Sequence, residues 1–432
     1  MTAAATSAKE DRRPTDGSLS AAEAHPRSDD RQGPVVLVHG GAPWQANGGA
    51  VFLEAVAAHA GRPCVHVSIA LEGRPYDVPP DFPRPVIQIA ARGGFRGMGV
   101  LQRQVPWMAR QLYWGALYPI LLRHRVSAAA AAIRGMRPHR LVFFLNAVET
   151  PIVAVELARL VGVPHATMEW DLLDIAIEEL GLSGQSHRQL TSALAAVRSG
   201  AAARGVASEG MLAYYRRQWG LDARVLRQPV AAIPARRATN SGGPFVIAVC
   251  GNVYAPAEFR ALVAALDRLG WSVGGRAIDL RVIGEIAAEV GPVSPRIAVS
   301  GWVSYRESLA RLAGADLGYC PYWFDEEKAR IVTTSFPSKI ISYLSCGVPT
   351  FYHGPKEGTP AQFLARYPAG VGCYTLDPAV IAETLAQFIA VPARMTAART
   401  ATTRALAEEF SEATLRHRLA DWLGDDSEGS RV

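Results

Sequence analysis

Lysine is scarce in this chain. Only four lysines stand among its 45 basic residues, and three of them, Lys328, Lys339 and Lys356, fall close together. Lys339 sits in "SFPSKIISYLSCGVP" (335–349). Ser335 is a good helix N-cap and Pro337 suits a first turn, where a missing N–H costs nothing. Ile340, Ile341, Tyr343 and Leu344 give that helix an apolar face, and Gly347 stops it. Free N–H groups and the positive dipole end of a helix, with a compact ammonium in reach, can grip a diphosphate without a metal. The bland reading is an ordinary capped helix. A second feature is "VVLVHGGAPWQANGG" (35–49), a strand that runs into His39, Gly40 and Gly41, then Asn47, Gly48 and Gly49. Glycine lets the main chain approach an anion and point N–H groups at it. A serine hydrolase would use such a loop too, but it needs G-x-S-x-G on a strand-to-helix turn. "GLSGQ" (181–185) lacks the second glycine, "YLSCG" (343–347) lacks the first, and "GVASEG" (205–210) has the wrong spacing. The hydrolase reading is set aside.

The elements that must position these residues alternate along the chain. Strand-like runs are expected at 35–38, 65–70, 86–90, 141–145, 165–170 and 205–207. A second set is expected at 245–250, 279–283, 296–300, 316–320, 348–352 and 370–374. Helical patterns lie between most of them, at 50–60, 152–161, 211–219, 259–269, 306–312 and 340–344. Such alternation implies parallel sheets covered by helices, and the continuous apolar strands suit burial on both faces. The alternation pauses at "PVAAIPARRATNSGGP" (229–244), which reads as a linker. The expected organisation is therefore a disordered polar tail over 1–33, a first Rossmann-like domain over 34–228, and a linker over 229–243. A second such domain spans 244–390. One long helical pattern over 392–423 sits within C-terminal helices (391–423) that return towards the first domain, and a tail covers 424–432.

Composition narrows the function. The chain has 432 residues, 49% of them hydrophobic, enough for two cores. The longest apolar run, Trp114–Leu122, falls far short of the ~20 residues that cross a bilayer. Residues 1–33 lack the apolar segment of a secretory signal. Five scattered cysteines (64, 250, 320, 346, 373), with no C-x-x-C pair, read as buried reduced thiols of a cytoplasmic protein. They do not read as a metal site. A net charge of +6 is mild, and no basic run with stacking aromatics argues for nucleic acid. The segment "VPWMARQLYWGALYPILLRHR" (105–125) mixes aromatic and basic residues. It suits either a core helix with a basic exit, the simpler reading, or a helix lying on the inner face of a membrane.

The order of motifs resembles the GT-B glycosyltransferases, family 4 type. "FVIAVCGNVYAPAEFRALVAAL" (245–266) is similar to the first strand, glycine loop and helix of their donor domain, and "DLRVIGE" (279–285) to the next strand. "RIAVSGWVSYRESLARLAGADLGYCPY" (296–322) resembles the run that follows. "FPSKIISYLSCGVP" (336–349) resembles their P-S-K-L-x-E-Y-L-x-x-G-x-P signature. In the first half, "GVPHATMEWD" (162–171), "GVASEGMLAYYRRQWG" (205–220) and the glycines at 48–49 match in order. The resemblance spans nearly all of 34–390. It implies an α/β chain of GT-B architecture, two Rossmann-like domains facing each other across a cleft. It also implies transfer of a sugar from a nucleotide-sugar donor to a glycan, lipid-linked or small-molecule acceptor, with retention and without a metal or other cofactor.

The same resemblance assigns roles. Gly251, Asn252, Val253, Gly301, Trp302, Thr334, Ser335, Ser338, Lys339 and Ser342 fall at donor-binding positions. His39, Gly40, Gly41, Asn47, Gly48 and Gly49 form the acceptor-side loop. Ser342 and Thr334 stand where the family often carries glutamates; Glu326 or Glu327 in "WFDEEKARIVTTS" (323–335) is a candidate substitute, although a solvated acidic loop is the simpler reading of that stretch. Catalytic candidates are Glu169, Glu149, Asn146 and Glu327. Glu169 is preferred over Asp171, which reads more simply as the N-cap of "LLDIAIEEL". Two other readings remain: a nucleotide-sugar epimerase, and a non-catalytic binding protein of the same fold, which the serine at 342 favours.

Overall fold

The computed structural model describes residues 33–44, 48–71, 74–90, 118–182, 184–230, 243–291 and 294–424. Two sheets organise them. The first contains β1 (Val35–Gly40), β2 (Cys64–Ala70), β3 (Val86–Ala90), β4 (Arg140–Phe144), β5 (His165–Glu169), β6 (Ala203–Val206) and β7 (Arg224–Val225). Its order is β3-β2-β1-β4-β5-β6-β7, all parallel. The second contains β8 (Phe245–Cys250), β9 (Ser272–Val273), β10 (Arg276–Ile283), β11 (Ile297–Val299), β12 (Leu317–Pro321), β13 (Thr350–His353) and β14 (Gly370–Cys373). Its order is β11-β10-β8-β12-β13-β14, with β9 pairing antiparallel to β10.

These runs become central strands because nothing in them needs water. Val35, Val36, Leu37 and Val38 are fully buried, as are Leu141–Phe144 and Ile247. Helices pack on both faces. One face of the first sheet collects Val36, Val38, Leu141 and Phe143 with Val126, Ile133 and Leu157 from helices. The other collects Val35, Leu37, Val142 and Phe144 with Phe52, Leu415, Leu419 and Trp422. The helix Glu412–Leu423 therefore lies against the first sheet although it follows the second in sequence.

Each expected strand has a counterpart within three residues at either end. The two-residue strands β7 and β9 were not expected; they are too short to show alternation. The pattern at 392–423 is two helices, Pro392–Glu409 and Glu412–Leu423. The break falls at Phe410, whose carbonyl accepts from Val230 N–H at 2.8 Å. Ser411 then caps the second helix, accepting from Thr414 N–H at 3.0 Å. The aromatic–basic segment lies outside the described residues up to 117. From Tyr118 to Gly135 the chain is helix, with Leu122 and Val126 buried in the core and Ile120 exposed. Most of the linker (231–242) also lies outside the described residues. Among the described residues, no helix is long and apolar enough to cross a membrane, and all five cysteines are free and buried.

Candidate functional site

In both sheets the strand order reverses beside the first strand, between β1 and β4 and between β8 and β12. Doubly wound sheets bind ligands beyond the carboxyl ends of their strands at such points. A cleft of about 600 Å³ lies there. One wall carries Gly49, Phe52, Trp170–Leu172, Ile175, Ala176, Glu179, Ala207 and Leu226–Gln228, and the other carries Tyr254, Tyr322, Trp323, Ile331, Ser335–Lys339 and Ile341.

Lys339 is the centre of the second wall. The helix Ser338–Ser345 starts beside it, with Pro337 at the N-cap and no side chain capping its first N–H groups. Ser335 is thus not the cap of this helix. It ends the preceding helix, Ala329–Thr334, and its hydroxyl donates to Asp171 Oδ1 at 2.6 Å across the cleft. The Lys339 ammonium donates to the carbonyls of Cys250 and Asn252, each at 2.8 Å, and stands 4.9 Å from the centre of the Tyr254 ring. Two of its three donors are so occupied. Burial lowers its pKa to about 8. Gly251 is shaped by this lysine: its φ is 81°, and a Cβ there would lie 3.1 Å from Nζ. Gly284 is more constrained. With φ 149°, its Cβ would come within 2.7 Å of the Gly251 backbone.

Of the other donor-side candidates, Ser338 lines the cleft with Ser335 and Lys339. Asn252 accepts from Glu285 N–H at 3.3 Å, and Val253 is buried against the same loop. Thr334 is buried, and its hydroxyl donates to Arg330 O at 2.6 Å within its own helix. Ser342 does the same to Ser338 O at 3.3 Å. Gly301 takes φ 66°, and Trp302 is 76% exposed and outside the cleft lining.

On the first wall the order of Glu169 and Asp171 is reversed. Glu169 is fully buried. It accepts from Arg198 Nη2 at 2.5 Å and Nε at 3.1 Å, from Leu173 N–H at 2.7 Å, and from the Tyr215 hydroxyl. It therefore caps the helix Leu173–Glu179, the role expected of Asp171. Asp171 is an exposed carboxylate at the cleft, as is Glu179 further along the same wall. Asn146 also has a structural partner: its amide accepts from Gly40 N–H at 2.8 Å and donates to Gly40 O at 3.0 Å. Glu149 is buried at the start of the helix Thr150–Val161. Glu326 and Glu327 sit in an exposed 3₁₀ turn outside the cleft lining.

In the acceptor-side loop, Gly40 packs so closely that a Cβ would come 2.5 Å from that of Ala147. Gly41 has φ 87°, and its carbonyl accepts from Ser68 at 2.7 Å. His39 is fully buried, its Nε2 3.1 Å from His66 Nδ1. Desolvation lowers its pKa to about 3. Gly48 begins the helix Gly48–His59 and Gly49 lines the cleft, whereas Asn47 lies outside the described residues. Among the described residues, no group of three His, Cys, Asp or Glu side chains is placed to hold a metal ion.

The walls are tied to each other. Ser208 donates to Thr334 O, Arg330 pairs with Glu178, one contact being 3.0 Å, and Gly210 abuts the Thr333 carbonyl so closely that a Cβ would overlap it. Sequence reading missed Asp171, Tyr254, Trp323 and Trp170 as cleft residues. The signal for each was position in a loop within four residues of a strand's carboxyl end.

No protein-family model matches the sequence, and no curated protein matches it significantly. Solved structures do. The Anabaena protein HepE, in complex with UDP and glucose, shares 12% identity over 91% of this chain and 100% of its own, with a TM-score of 0.60. Sucrose-phosphate synthase from Thermosynechococcus elongatus shares 14%, over 91% and 99%, with a TM-score of 0.63. A glycosyltransferase from Rickettsia africae shares 10%, over 93% and 100%, with a TM-score of 0.62. These likenesses extend over both sheets.

Proposed function

The chain has the GT-B fold, two Rossmann-like halves that meet at a cleft, and from that premise we propose that it is a glycosyltransferase using a nucleotide-sugar donor. The observation that carries this reading is Lys339. A buried ammonium stands at the uncapped start of the helix Ser338–Ser345, against the glycine turn at Gly251, in a cleft where two sheets present their carboxyl ends. Helix N–H groups and an adjacent lysine stabilise the negative charge that builds on a departing diphosphate. HepE, the structural neighbour described with UDP and glucose and also with UDP-glucose, supports the same class of donor.

In the proposed reaction the acceptor hydroxyl oxygen bonds to the anomeric carbon. The bond from that carbon to the β-phosphate oxygen breaks, and its electron pair leaves with the nucleoside diphosphate. The acceptor proton passes to that phosphate oxygen on the same face of the sugar, which retains configuration. Lys339 and the first N–H groups of its helix hold the leaving group. Gly251 and Gly284 keep the turn close enough for backbone contact, and the wall with Trp170 and Asp171 receives the acceptor. No step requires a metal.

The test is incubation with UDP-, GDP-, ADP- and dTDP-sugars, reading nucleoside diphosphate release. Turnover of one donor, lost in Lys339→Ala, is the expected result. Binding of a donor without release in the presence of any acceptor would instead favour the non-catalytic reading, for which Ser342 is the specific observation. Its hydroxyl is turned onto its own helix at Ser338 O, where an acidic side chain would hold a ribose. Conversion of the donor sugar without an acceptor would identify an epimerase.

A further inference from the structure

We infer that the ion pair between Arg330 and Glu178 is a latch that sets how fast the cleft opens, about a pivot at Ser208 and the two chain crossings; the identity of what enters the cleft rests on the glycosyl-transfer reading above. Each half has its own core. Among the described residues, no buried apolar cluster holds side chains from both 35–226 and 245–410. Halves that share no apolar core and meet through polar contacts move relative to each other. The chain crosses between them twice, and the crossings lie side by side. Val230 N–H donates to Phe410 O at 2.8 Å. Just before the first crossing, Arg227 lies 3.5 Å from the Glu409 carboxylate and 4.4 Å from the centre of the Phe336 ring.

Ser208 and Thr334 are both buried. The Ser208 hydroxyl donates to Thr334 O while it accepts from Met211 N–H at 2.9 Å. The next carbonyl is held from the other side: Ser335 O accepts from the hydroxyls of Thr359 and, at 3.4 Å, Tyr322. Consecutive carbonyls at the end of the helix Ala329–Thr334 are thus held by opposite halves. Such an element end is where a turn of one half on the other is absorbed. One helical turn back, the tie has a different character. Arg330 reaches Glu178 through both terminal guanidinium nitrogens, one contact being 3.0 Å, and Tyr214 of the first half stands beside it. The paired side chains are 34% and 49% exposed, so water replaces their contact at small cost when they part. They flank the cleft, because their chain neighbours Ile331 and Glu179 line it from opposite walls. Ser335 and Asp171 add one hydrogen bond between the same walls. Opening on this side breaks the ion pair, while the buried contact at Ser208 stays made.

Hydrogen exchange and binding kinetics on the full chain test this. Amide exchange over 330–335 is read by mass spectrometry. Association and dissociation rates of UDP, GDP, ADP and dTDP are read by stopped-flow tryptophan fluorescence. Glu178→Gln should speed the exchange and raise both rates for the nucleotide that binds, each by about two- to fivefold, the scale of one half-exposed ion pair. Equilibrium affinity should stay unchanged, because the pair is lost from the free and the occupied protein alike. Exchanging the charges, Glu178→Arg with Arg330→Glu, should restore the parent values. Asp279→Asn breaks a similarly exposed pair, Arg281–Asp279, within the second half, and should alter neither exchange over 330–335 nor the rates. Unaltered exchange and rates in Glu178→Gln, a change that the exchanged pair does not restore, or the same change in Asp279→Asn would overturn the latch. Faster exchange in Glu178→Gln, restored by the exchanged pair, in a protein that binds none of the four nucleotides would instead overturn glycosyl transfer and leave the latch standing.

Discussion

Asp171 and Glu169 show what a single residue can hide. They are two apart at the end of one strand, and the sequence preference for Glu169 at the cleft is reversed in the fold. What ranks them is Arg198, which reaches Glu169 from a helix 29 residues later. Glu169 becomes a buried structural anion and Asp171 a cleft carboxylate. Glu169→Ala removes one of the two carboxylates paired with buried Arg198, leaving Asp174, and loses the cap on Leu173, so it should destabilise the fold by about 1.5–3 kcal/mol, measured by urea unfolding. Asp171→Asn should leave stability nearly unchanged and lower turnover. Lys339 was legible as a candidate for the proposed phosphate site because it stands in a motif. That its ammonium already binds the Cys250 and Asn252 carbonyls was not legible, since those partners lie 89 and 87 positions away. Its pKa of about 8 in the fold, against 10.5 unperturbed, means its charge is present below about pH 8 and lost above. Nucleoside diphosphate affinity, followed by calorimetry, should therefore fall as pH rises through about 8, and this step should vanish in Lys339→Ala.

At the scale of elements, the strands were legible because each is a short apolar run between turn residues. The helices were legible where their apolar faces were regular. The exceptions have physical causes. The terminal helix breaks because Val230 takes the Phe410 carbonyl, a contact between segments far apart in sequence. Ser335 looks like a cap beside Pro337, yet its hydroxyl crosses to Asp171. The glycine turns carry the sharpest prediction at this scale. A Cβ at Gly284, whose φ is 149°, would come 2.7 Å from the Gly251 backbone. Gly284→Ala must push that turn away from Lys339, at a cost of about 1–3 kcal/mol in strain. It should lower both the thermal midpoint and nucleotide affinity. Gly270→Ala, at a turn with nothing within 4 Å of the added Cβ, should lower the thermal midpoint through its positive φ and spare nucleotide affinity.

The whole molecule couples two sheets through the contacts beneath the cleft, and its response to acid follows from buried histidines. Burial lowers His39 to about 3 and His353 to about 4, from 6.5. The folded state binds fewer protons than the unfolded one below pH 6.5, so stability is full above that value and falls as pH drops through it. The loss should approach about 1.4 kcal/mol per pH unit for each histidine down to those lowered values. Urea midpoints measured between pH 7 and pH 5 should show it, and His353→Gln should reduce the slope. The division into two halves was visible in the strand–helix rhythm and the pause near 229–244. A cleft between them was expected too, but most of its lining was not legible, because its walls are assembled from eight separate stretches of chain. The most direct measurement is calorimetric titration of UDP, GDP, ADP and dTDP into the parent protein and Lys339→Ala, without metal. One nucleotide should bind the parent, and the variant should lose about 1.5–3 kcal/mol of that affinity, the value of a charge-assisted contact. Equal affinity in the two proteins, or no binding of any nucleotide, would contradict a diphosphate site at Lys339.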